Sequence, residues 1–465
     1  MKLILLSGGS GKRLWPLSND VRSKQFLKML RNPNGELESM VQRLWRQLAA
    51  NGLLDSLYIS TSKTQADMIV NQLGTAVPLI LEPKQRDTFP AIALAASFLY
   101  SREGVDLQET VAVMPVDPYV GEDFFALIKQ LEHVLDQSGA DLALIGVTPT
   151  YPSSKYGYIV PAESKADKIQ PQMYRVLSFT EKPSEEQAKW LLKRRALWNC
   201  GVFAFRLETM IKELEKRGYP VEYDALIQQY DRLPAISFDY EVVEKAERVV
   251  VVPYDGEWKD LGTWNTITEE MTVNLVGKGH LDNGCTNTHV INELDLPIVV
   301  IGTSDVVVAA SPDGILVSDK AKSHRIKDIA KEWNHRPMFE ERRWGWYQAI
   351  GYQTTDSGAE VLTKRLHIHA ERNLSYQYHR HRSEVWVIVA GEGEFVLDDR
   401  LRHVQAGDVL EIPVGAKHAI KATADLDIIE VQMGDSLVED DIVRLCLSWE
   451  EIMERVNRDQ LEGGA

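Results

Sequence analysis

The sequence predicts an α/β fold followed by a β-rich, β-helix-like connector and a C-terminal β-barrel. Short apolar runs alternate with helical stretches as far as Trp264, a pattern typical of βαβ units. Runs of Val and Ile then follow from Thr272 to Lys320 without a helical period, which indicates a coiled stack of strands. Alternating strands and Gly/Asp turns after Trp344 are typical of an antiparallel barrel or jelly roll. These parts, with a linker at the end of the second, are expected at residues 1–268, 269–340 and 341–465.

Length, charge and cysteine content restrict the class of protein. The 465 residues correspond to about three domains of ordinary size. A formal net charge of −16 argues against binding to nucleic acid or to an anionic membrane, so an anionic ligand must be held by a few local cations. The three cysteines form no CxxC pair, which disfavours a disulfide framework and a structural zinc site. The first apolar run is too short for a signal peptide or a membrane span, so a cytoplasmic protein is expected, and a homo-oligomer is left open.

A glycine-rich turn, GGSGKRLWP from Gly8 to Pro16, directly follows the first predicted strand. Glycines let backbone amides approach an anion closely, and Lys12 and Arg13 could neutralise a triphosphate. The two commonest nucleotide motifs do not fit. A dinucleotide fingerprint needs glycine where Leu14 stands, and a Walker loop needs Ser or Thr where Arg13 stands. The turn therefore predicts a phosphate loop of another kind, with a tight turn carrying solvated cations as the alternative.

Eight segments along the α/β part occur in the order found in one family. They are GGSGKRLWPLSNDVRSKQFL, EPKQRDTFPAIALAA, VMPVDPYV, KYGYI, FTEKP, WNCGVFAF, FDYEVVEK and EWKDLGTW. With these segments the chain resembles the sugar-1-phosphate nucleotidyltransferases, specifically the bacterial mannose-1-phosphate guanylyltransferases. The resemblance implies a Rossmann-like nucleotidyltransferase domain. Four positions depart from the usual pattern, because Lys12, Asn19 and Ser23 replace Thr, Arg and Pro, and Pro118 replaces His.

The resemblance implies transfer of GMP from GTP to α-D-mannose 1-phosphate, with GDP-mannose and pyrophosphate as products. In such a reaction a sugar-phosphate oxygen attacks the α-phosphorus, which requires hard oxygen ligands for Mg²⁺ and several cations around the phosphates. By resemblance, Arg13 and Lys24 are the catalytic residues at the triphosphate, and Asp117 and Asp260 hold Mg²⁺. The structural alternative is that Asp117 is an ordinary strand-end cap and Asp260 a turn residue.

The other residues that the resemblance assigns bind substrate. The residues assigned to nucleotide binding are Gly8, Gly9, Gly11, Lys12, Glu82 and Arg86. The residues assigned to the sugar-phosphate pocket are Gly157, Glu181, Lys182, Asn199 and Gly201. In that pocket, Glu181 and Asn199 can hydrogen-bond sugar hydroxyls, and Lys182 can contact the 1-phosphate. The structural alternatives are a surface ion pair of Glu82 with Arg86 and an exposed turn at FTEKP.

Two segments of the predicted barrel, SYQYHRHRSEVWVIVAG and GDVLEIPVGAKHAIKA, resemble the two cupin motifs. Imidazoles and a carboxylate two residues apart on a strand point to the same side, as a metal site inside a barrel requires. The preferred ligand set, similar to that of phosphomannose isomerases, is Gln377, His379, Glu384 and His418. A second register uses His379 and His381 before Glu384. The expected ion is Zn²⁺ or another divalent metal, and a barrel without metal is the alternative.

The order of the three parts resembles the bifunctional mannose-6-phosphate isomerase/mannose-1-phosphate guanylyltransferases over essentially the whole chain. RRWGWY and EDDIVRL fit the C-terminal half of that family, and Arg444 is a candidate isomerase residue or part of a barrel-rim ion pair. The chain departs from the family at its end, where LSWEEIMERV replaces a DRYGR-like string, so isomerase activity is a secondary expectation. The alternatives to the main expectation are a transferase for another base or sugar and a non-catalytic sugar-nucleotide sensor.

Overall fold

The computed structural model describes residues 1–9, 11–19, 21–162, 173–330, 332–333, 336–438 and 441–462. The strands of the α/β part are β1 (Lys2–Ser7), β2 (Leu30–Arg31), β3 (Leu37–Glu38), β4 (Leu57–Ser62), β5 (Leu79–Glu82), β6 (Thr110–Pro115), β7 (Pro118–Val120), β8 (Leu142–Val147), β9 (Tyr158–Pro161), β10 (Tyr174–Thr180), β11 (Leu197–Arg206), β12 (Val249–Tyr254) and β13 (Trp258–Asp260). Its helices are α1 (Met40–Ala50), α2 (Lys63–Leu73), α3 (Thr88–Ser101), α4 (Phe124–Ser138), α5 (Glu185–Lys193), α6 (Leu207–Lys216), α7 (Tyr223–Gln228), α8 (Phe238–Glu241) and α9 (Trp264–Glu270).

The central sheet of the α/β part has the order β5-β4-β1-β6-β11-β8-β12-β10-β9 among the described residues. β1 pairs in parallel with β4 and β6, and β11 runs antiparallel between β6 and β8. Because alternate residues of a strand point to opposite faces, Leu3 and Leu5 enter one apolar core and Ile4 enters the other. α3 is apolar on all sides, which fits its place between the sheet and the helices α6 and α7. The α/β fold predicted from the apolar runs is confirmed. Its sheet is mixed, because β10 and β11 run antiparallel to their neighbours.

The connector is a coiled stack of short strands, as its Val- and Ile-rich runs predict. It contains β14 (Leu275–Val276), β15 (Gly279–Leu281), β16 (His289–Asn292), β17 (Ile298–Val300), β18 (Val306–Ser311), β19 (Gly314–Asp319) and the short helix α10 (Ile326–Ile329). β14, β16 and β18 pair in parallel, and β15 pairs in parallel with β17, so successive turns of chain lie on one another. The linker predicted before residue 341 falls partly on Lys331, Asn334 and His335, which lie outside the described residues.

The C-terminal part consists of two antiparallel sheets that enclose an apolar core. Its elements are β20 (Phe339–Arg342), β21 (Gly345–Thr354), β22 (Glu360–Ile368), β23 (Tyr376–His379), β24 (Arg382–Ala390), β25 (Glu392–Leu397), β26 (Arg400–Gln405), β27 (Val409–Ile412), β28 (His418–Ala422), β29 (Leu426–Gly434), β30 (Ile442–Cys446) and α11 (Trp449–Glu462). The sheet orders are β20-β21-β22-β29-β24-β27 and β26-β25-β28-β23-β30. Inward residues such as Leu366, Trp386 and Ile428 form the barrel core. The predicted antiparallel barrel is confirmed.

The α/β part contacts the barrel through α2. On one side of α2, the Gln65 amide donates to Ser23 Oγ at 2.7 Å, beside the glycine-rich turn. Further along, Asn71 Nδ2 donates to the backbone oxygen of Arg342 at 2.7 Å, and Gln72 Nε2 donates to Glu341 Oε2 at 3.0 Å. One helix therefore contacts both the glycine-rich turn and the first strand of the barrel. Across the described part of the chain, we find no helix with the length and hydropathy of a membrane span.

Candidate active sites

The glycine-rich turn leaves β1 and folds back on the chain that precedes Lys24. A Cβ atom on Gly11 would lie 2.6 Å from Ser23 Cα and 2.7 Å from the Lys24 nitrogen, so glycine is required for this close approach. Ser23 Oγ also donates to the backbone oxygen of Gly9 at 2.7 Å. Ser23, which stands where the resembled family has proline, thus ties the turn to the segment that carries Lys24.

Two carboxylates converge on the Lys24 ammonium group. Lys24 Nζ lies 2.9 Å from Asp117 Oδ2 and 2.9 Å from Asp260 Oδ1. Asp117 follows β6, and Asp260 ends β13, which pairs antiparallel with β7 so that Asp260 lies opposite Pro118. This pairing is what brings together two aspartates that are distant in sequence. It also gives Pro118 a structural position, at the start of a short strand.

Electrostatics keep this cluster charged. Burial lowers the pKa of Lys24, but the two carboxylates more than offset that effect, and the pKa lies above its ordinary value. Burial raises the pKa of Asp260, whereas Lys24, Arg13 and Lys155 lower it, and the result is a pKa below the ordinary value. Two converging carboxylates offer hard oxygen donors, so Asp117 and Asp260 fit a divalent ion, which would compete with Lys24 for them.

Two cavities meet at this cluster. The first, of about 400 Å³, is lined by Gly8, Gly9, Gly11, Arg13, Lys24, Gln25, Pro115, Asp117, Pro118, Tyr156, Asn199, Cys200, Trp258, Asp260 and Lys327. The second, of about 370 Å³, is lined by Leu6, Gly8, Gly9, Glu82, Gln85, Arg86, Asp87, Thr88, Ala91, Pro115, Asp117, Gly201, Phe203 and Asp239. The glycine-rich turn and Asp117 are common to both. Lys12 lines neither of these two cavities.

Glu82 and Arg86 line the second cavity but do not pair with each other. Glu82 is buried and accepts hydrogen bonds from the Tyr230 hydroxyl at 3.0 Å and from Ser60 Oγ at 3.4 Å. Burial outweighs these bonds and raises the pKa of Glu82 to about 7. Arg86 instead donates to the backbone oxygen of Leu233, at 3.1 Å from Nε and 2.8 Å from Nη2. The surface ion pair considered as an alternative is therefore not what these side chains form.

The five residues predicted for the sugar-phosphate pocket lie close together. A Cβ atom on Gly157 would overlap Glu181 Oε2 and would lie 3.3 Å from Asn199 Cβ, so both side chains pack directly against the Gly157 backbone. Lys182 Nζ lies 2.8 Å from Glu181 Oε1, whereas Glu181 Oε2 is buried without a hydrogen-bond partner in the described part of the chain. Gly201 N donates to Asn199 Oδ1 at 3.1 Å. An unpartnered acceptor and an exposed lysine at one place suit a phosphorylated sugar.

Asp239 extends this pocket. It accepts a 2.6 Å hydrogen bond from Asn199 Nδ2 and lines the second cavity. Burial and the nearby Glu181 carboxylate raise the pKa of Asp239 to about 6, against the opposing effect of the Asn199 bond. It belongs to the segment FDYEVVEK, which the sequence marks without a role for this residue.

Inside the barrel, His379, Glu384 and His418 converge. Their ligand atoms all lie within 4.8 Å of one another, and each of these side chains is about 1% exposed. His379 Nε2 approaches Glu384 Oε1 at 3.1 Å without the geometry of a hydrogen bond, and His418 Nε2 has no partner in the described residues. Burial lowers the pKa of His418 to about 4, which leaves a neutral imidazole suited to metal binding. Buried, unpartnered imidazole nitrogens facing a carboxylate fit a divalent ion.

Gln377 lies beside this cluster. It pairs in register with His418 across β23 and β28, lines the barrel cavity, and its Oε1 accepts a 2.7 Å hydrogen bond from Ser375 Oγ. His381 of the second register is exposed, and its backbone N–H donates to Asp441 Oδ2 at 3.2 Å. The structure therefore brings together the histidines and glutamate of the preferred register and leaves His381 outside. Glu439 and Asp440 of the EDDIVRL segment lie outside the described residues.

The barrel cavity is small, about 80 Å³, and highly charged. Glu384 accepts from Arg382 Nε at 2.9 Å and from Trp386 Nε1 at 3.0 Å. Burial, together with the Glu384 carboxylate, raises the pKa of Glu430, whose carboxylate lies 4.0 Å from Lys364 Nζ. The remaining charged lining residues are Asp67, Arg342, Arg343 and Arg444. Asp67 belongs to α2, so the α/β part contributes to the wall of the barrel cavity.

Comparison with known proteins places the chain in a family. The family model described as nucleotidyl transferase matches residues 2–275, and the model described as mannose-6-phosphate isomerase C-terminal matches residues 327–446. The first match covers more than half of the chain. The chain belongs to the nucleotidyl transferase family. Members of the two matched families use divalent metal ions.

Characterised relatives resemble this nucleotidyl transferase over nearly their whole length. Alginate biosynthesis protein AlgA of Pseudomonas syringae pv. tomato is 31% identical, over 99% of this chain and 98% of its own. A mannose-1-phosphate guanylyltransferase of Escherichia coli is 31% identical, over 95% of this chain and 97% of its own. A crystal structure described as a mannose-1-phosphate geranyltransferase, from Thermus thermophilus, is 30% identical, with a TM-score of 0.59 over 71% of this chain and 98% of the other.

Several lining residues of this nucleotidyl transferase were not predicted from sequence. Tyr156, Trp258 and Asp239 lie within segments that carry the resemblance, so the segments themselves were the available signal. Lys327 had no such signal because it belongs to the connector. It reaches the first cavity because α10 packs against the glycine-rich turn, with Ile326 in contact with Trp15.

Proposed function

We propose that this nucleotidyl transferase transfers GMP from GTP to α-D-mannose 1-phosphate, giving GDP-mannose and pyrophosphate. The observation that carries the proposal is the cluster of Lys24 with Asp117 and Asp260, where two cavities meet. Two cavities provide room for two substrates, and the charged cluster lies where their phosphates would meet. The relatives named as mannose-1-phosphate guanylyltransferases support the choice of base and sugar.

The reaction joins a sugar-phosphate oxygen to the α-phosphorus of GTP and breaks the bond from that phosphorus to the pyrophosphate oxygen. The electron pair of the broken bond leaves with pyrophosphate. Asp117 and Asp260 would hold Mg²⁺, which neutralises phosphate charge when bound. Arg13 and Lys24 line the same cavity and stabilise the negative charge that develops on the leaving group. The glycine-rich turn lets the backbone approach the triphosphate closely.

The substrate pockets follow from the same geometry. Glu82 and Arg86 line the second cavity together with the glycine-rich turn, which supports a role for them in binding the nucleotide. Glu181, Asn199 and Asp239 offer acceptors and a donor to sugar hydroxyls, and Lys182 is available for the 1-phosphate. Fixing both substrates beside one charged cluster converts an encounter of two anions into a reaction of aligned groups.

A second activity, interconversion of mannose 6-phosphate and fructose 6-phosphate, is proposed for the barrel. It is supported by the converging His379, Glu384 and His418 and by the match to the isomerase family over residues 327–446. Together with Gln377, these residues would hold Zn²⁺ or another divalent ion, which polarises a sugar carbonyl when bound. Arg343 and Arg444 line the barrel cavity together with Gln377 and can bind a phosphate group. A cytoplasmic location is also proposed, supported by the three free cysteines, which suit a reducing compartment.

The test is release of pyrophosphate across a panel of nucleoside triphosphates and sugar 1-phosphates, with Mg²⁺ present. GTP with mannose 1-phosphate is expected to give the highest kcat/KM. A higher value for another pair would change the assigned base or sugar. Release from no pair, with binding of GDP-mannose retained, would contradict catalysis and support the sugar-nucleotide sensor. Isomerisation of mannose 6-phosphate is measured separately, with His379→Ala as the inactive control.

A further inference from the structure

Two neighbouring strands on the outside of the barrel carry histidines opposite aspartates. β22 pairs antiparallel with β29 so that His367 lies opposite Asp427. Continuing this register beyond the ends of the strands places His369 opposite Asp425. Ile368, between the two histidines, is buried in the barrel core. Because successive strand residues point to opposite faces, both histidines lie on the outer face.

The side chains at this place are close enough to share one cation. One ring nitrogen of His367, one of His369 and a carboxylate oxygen of Asp425 all lie within 4.8 Å of one another. Two imidazoles, a carboxylate and a water molecule form a common four-coordinate zinc environment. This set is separate from His379 and its partners, which lie inside the barrel.

The ring of His367 is held in place by two contacts. It stacks on Trp346, with ring centroids 5.4 Å apart and an interplanar angle of 16°. Its Nδ1 lies 3.2 Å from Asp427 Oδ1. With Nδ1 engaged by this carboxylate, Nε2 is the ring nitrogen that remains for a ligand. A carboxylate behind a histidine in this way is the usual support of a metal ligand.

The Asp425 carboxylate is also held in place. Its Oδ1 accepts a 2.8 Å hydrogen bond from the Ala370 N–H, which orients it toward the end of the strand pair that carries the two histidines.

We propose that His367, His369 and Asp425 form a second divalent-metal site, on the outer face of the barrel, that binds Zn²⁺. Asp427 is a positioning residue that holds the ring of His367. Since the ligands come from β22 and from the chain leading into β29, a bound ion links the two strands at their ends. The site is independent of the chemistry proposed for the barrel interior.

The test measures zinc bound per full-length chain by equilibrium dialysis and metal analysis. His369→Ala is expected to bind one Zn²⁺ fewer than the unmodified chain. The matched control is His403→Ala, which removes an exposed barrel histidine outside the cluster and is expected to leave the stoichiometry unchanged. Equal stoichiometry in His369→Ala and the unmodified chain, or the same loss in His403→Ala, would overturn the proposal.

Two further measurements separate this site from the barrel interior. Asp427→Asn is expected to weaken zinc binding at the outer site by roughly 10- to 100-fold without loss of the ligands. Unchanged affinity would remove Asp427 from its positioning role. With Co²⁺ as a probe, the absorption bands assigned to the outer site should disappear in His369→Ala and persist in His379→Ala. Loss of those bands in His379→Ala alone would assign them to the interior and contradict the outer site.

Discussion

Lys24 is the residue on which the electrostatics of the transferase site depend. Its ammonium group contacts both Asp117 and Asp260 at 2.9 Å, and the two carboxylates raise its pKa despite burial. Lys24 therefore carries its charge throughout the pH range of an ordinary assay. A fixed cation in a partly buried cavity stabilises charge that develops during a reaction more than a solvated one does.

Lys24→Ala is expected to lower kcat for pyrophosphate release by roughly 100-fold, because it removes a cation that acts on the phosphates in the transition state. The KM for mannose 1-phosphate should change little. Steady-state kinetics with both substrates varied give the two values. Lys84→Ala is the matched control, since Lys84 is an exposed lysine paired with Asp231. An effect limited to the KM of the sugar would remove Lys24 from the catalytic role.

The raised pKa of Glu82 makes the free energy of unfolding depend on pH. Its pKa is about 7 in the folded chain against an ordinary value of 4.5, so the folded state holds this proton where the unfolded chain has released it. That contribution to stability is complete below pH 4.5 and is lost as the pH rises through about 7. Between about pH 5 and pH 8, the unmodified chain should lose up to about 3 kcal/mol of unfolding free energy relative to Glu82→Gln. Urea denaturation measures this difference, and parallel pH dependence of the two proteins would contradict it.

The site position of a residue could be predicted where the residue belongs to a recognisable motif. It could not be predicted where a residue from another part of the chain reaches the cavity only through tertiary packing. Arg13, Lys24, Asp117 and Asp260 line one cavity, as their motifs indicate. Lys327 lines it too, but only the packing of the connector on the glycine-rich turn places it there.

Among the elements, the glycine-rich turn has the strictest geometric requirement. Gly11 packs on the backbone of Ser23 and Lys24, and Ser23 is held in turn by Gln65 of α2. The sequence indicates that glycine is needed in this turn, but it does not indicate which backbone segment packs on Gly11. The segment is held there in part by a hydrogen bond from the Ser23 hydroxyl to Gly9, and Ser23 replaces the proline of the resembled family.

Gly11→Ala tests this requirement. The added Cβ would lie 2.6 Å from Ser23 Cα, so the segment carrying Lys24 must move. A displacement of about 1 Å can cost roughly 100-fold in rate, and a loss of that order in kcat/KM for GTP is expected. Gly351→Ala is the control, because a Cβ there meets open space. Equal activity of the two variants would show that the turn tolerates the displacement.

At the scale of the whole molecule, the connector and the barrel both pack against the α/β part. Arg22 pairs with Glu293 of the connector at 2.7 Å and approaches Glu341 of the barrel at 3.9 Å. Asn71 and Gln72 of α2 add hydrogen bonds to the barrel. The order of the three parts was predictable from their separate hydrophobic patterns. Their contacts were not, because polar residues that meet across an interface leave no periodic signal in sequence.

A chain ending after Trp333 is expected to keep transferase activity. It retains both cavities, Lys327 and the contact of Trp333 with Trp15, whose ring centroids are 4.8 Å apart. It loses the contacts of α2 and Arg22 with the barrel and the hydrogen bond from the Met338 N–H to Asp313 of the connector. The rate of pyrophosphate release and the melting temperature are compared with those of the full chain. A folded truncated chain without activity would show that the barrel completes the transferase site.

The central claim is that Asp117 and Asp260 hold the metal ion of a working transferase. The most direct measurement is pyrophosphate release from GTP and mannose 1-phosphate as Mg²⁺ is titrated, for the unmodified chain, Asp117→Asn and Asp260→Asn. Each variant should lose roughly 100-fold or more of kcat at saturating Mg²⁺, because an amide lacks the charge of the carboxylate, while its melting curve stays that of a folded protein. Asp255→Asn, at an exposed position outside both cavities, should behave as the unmodified chain does. Near-normal turnover of Asp117→Asn or Asp260→Asn at saturating Mg²⁺ would contradict the account.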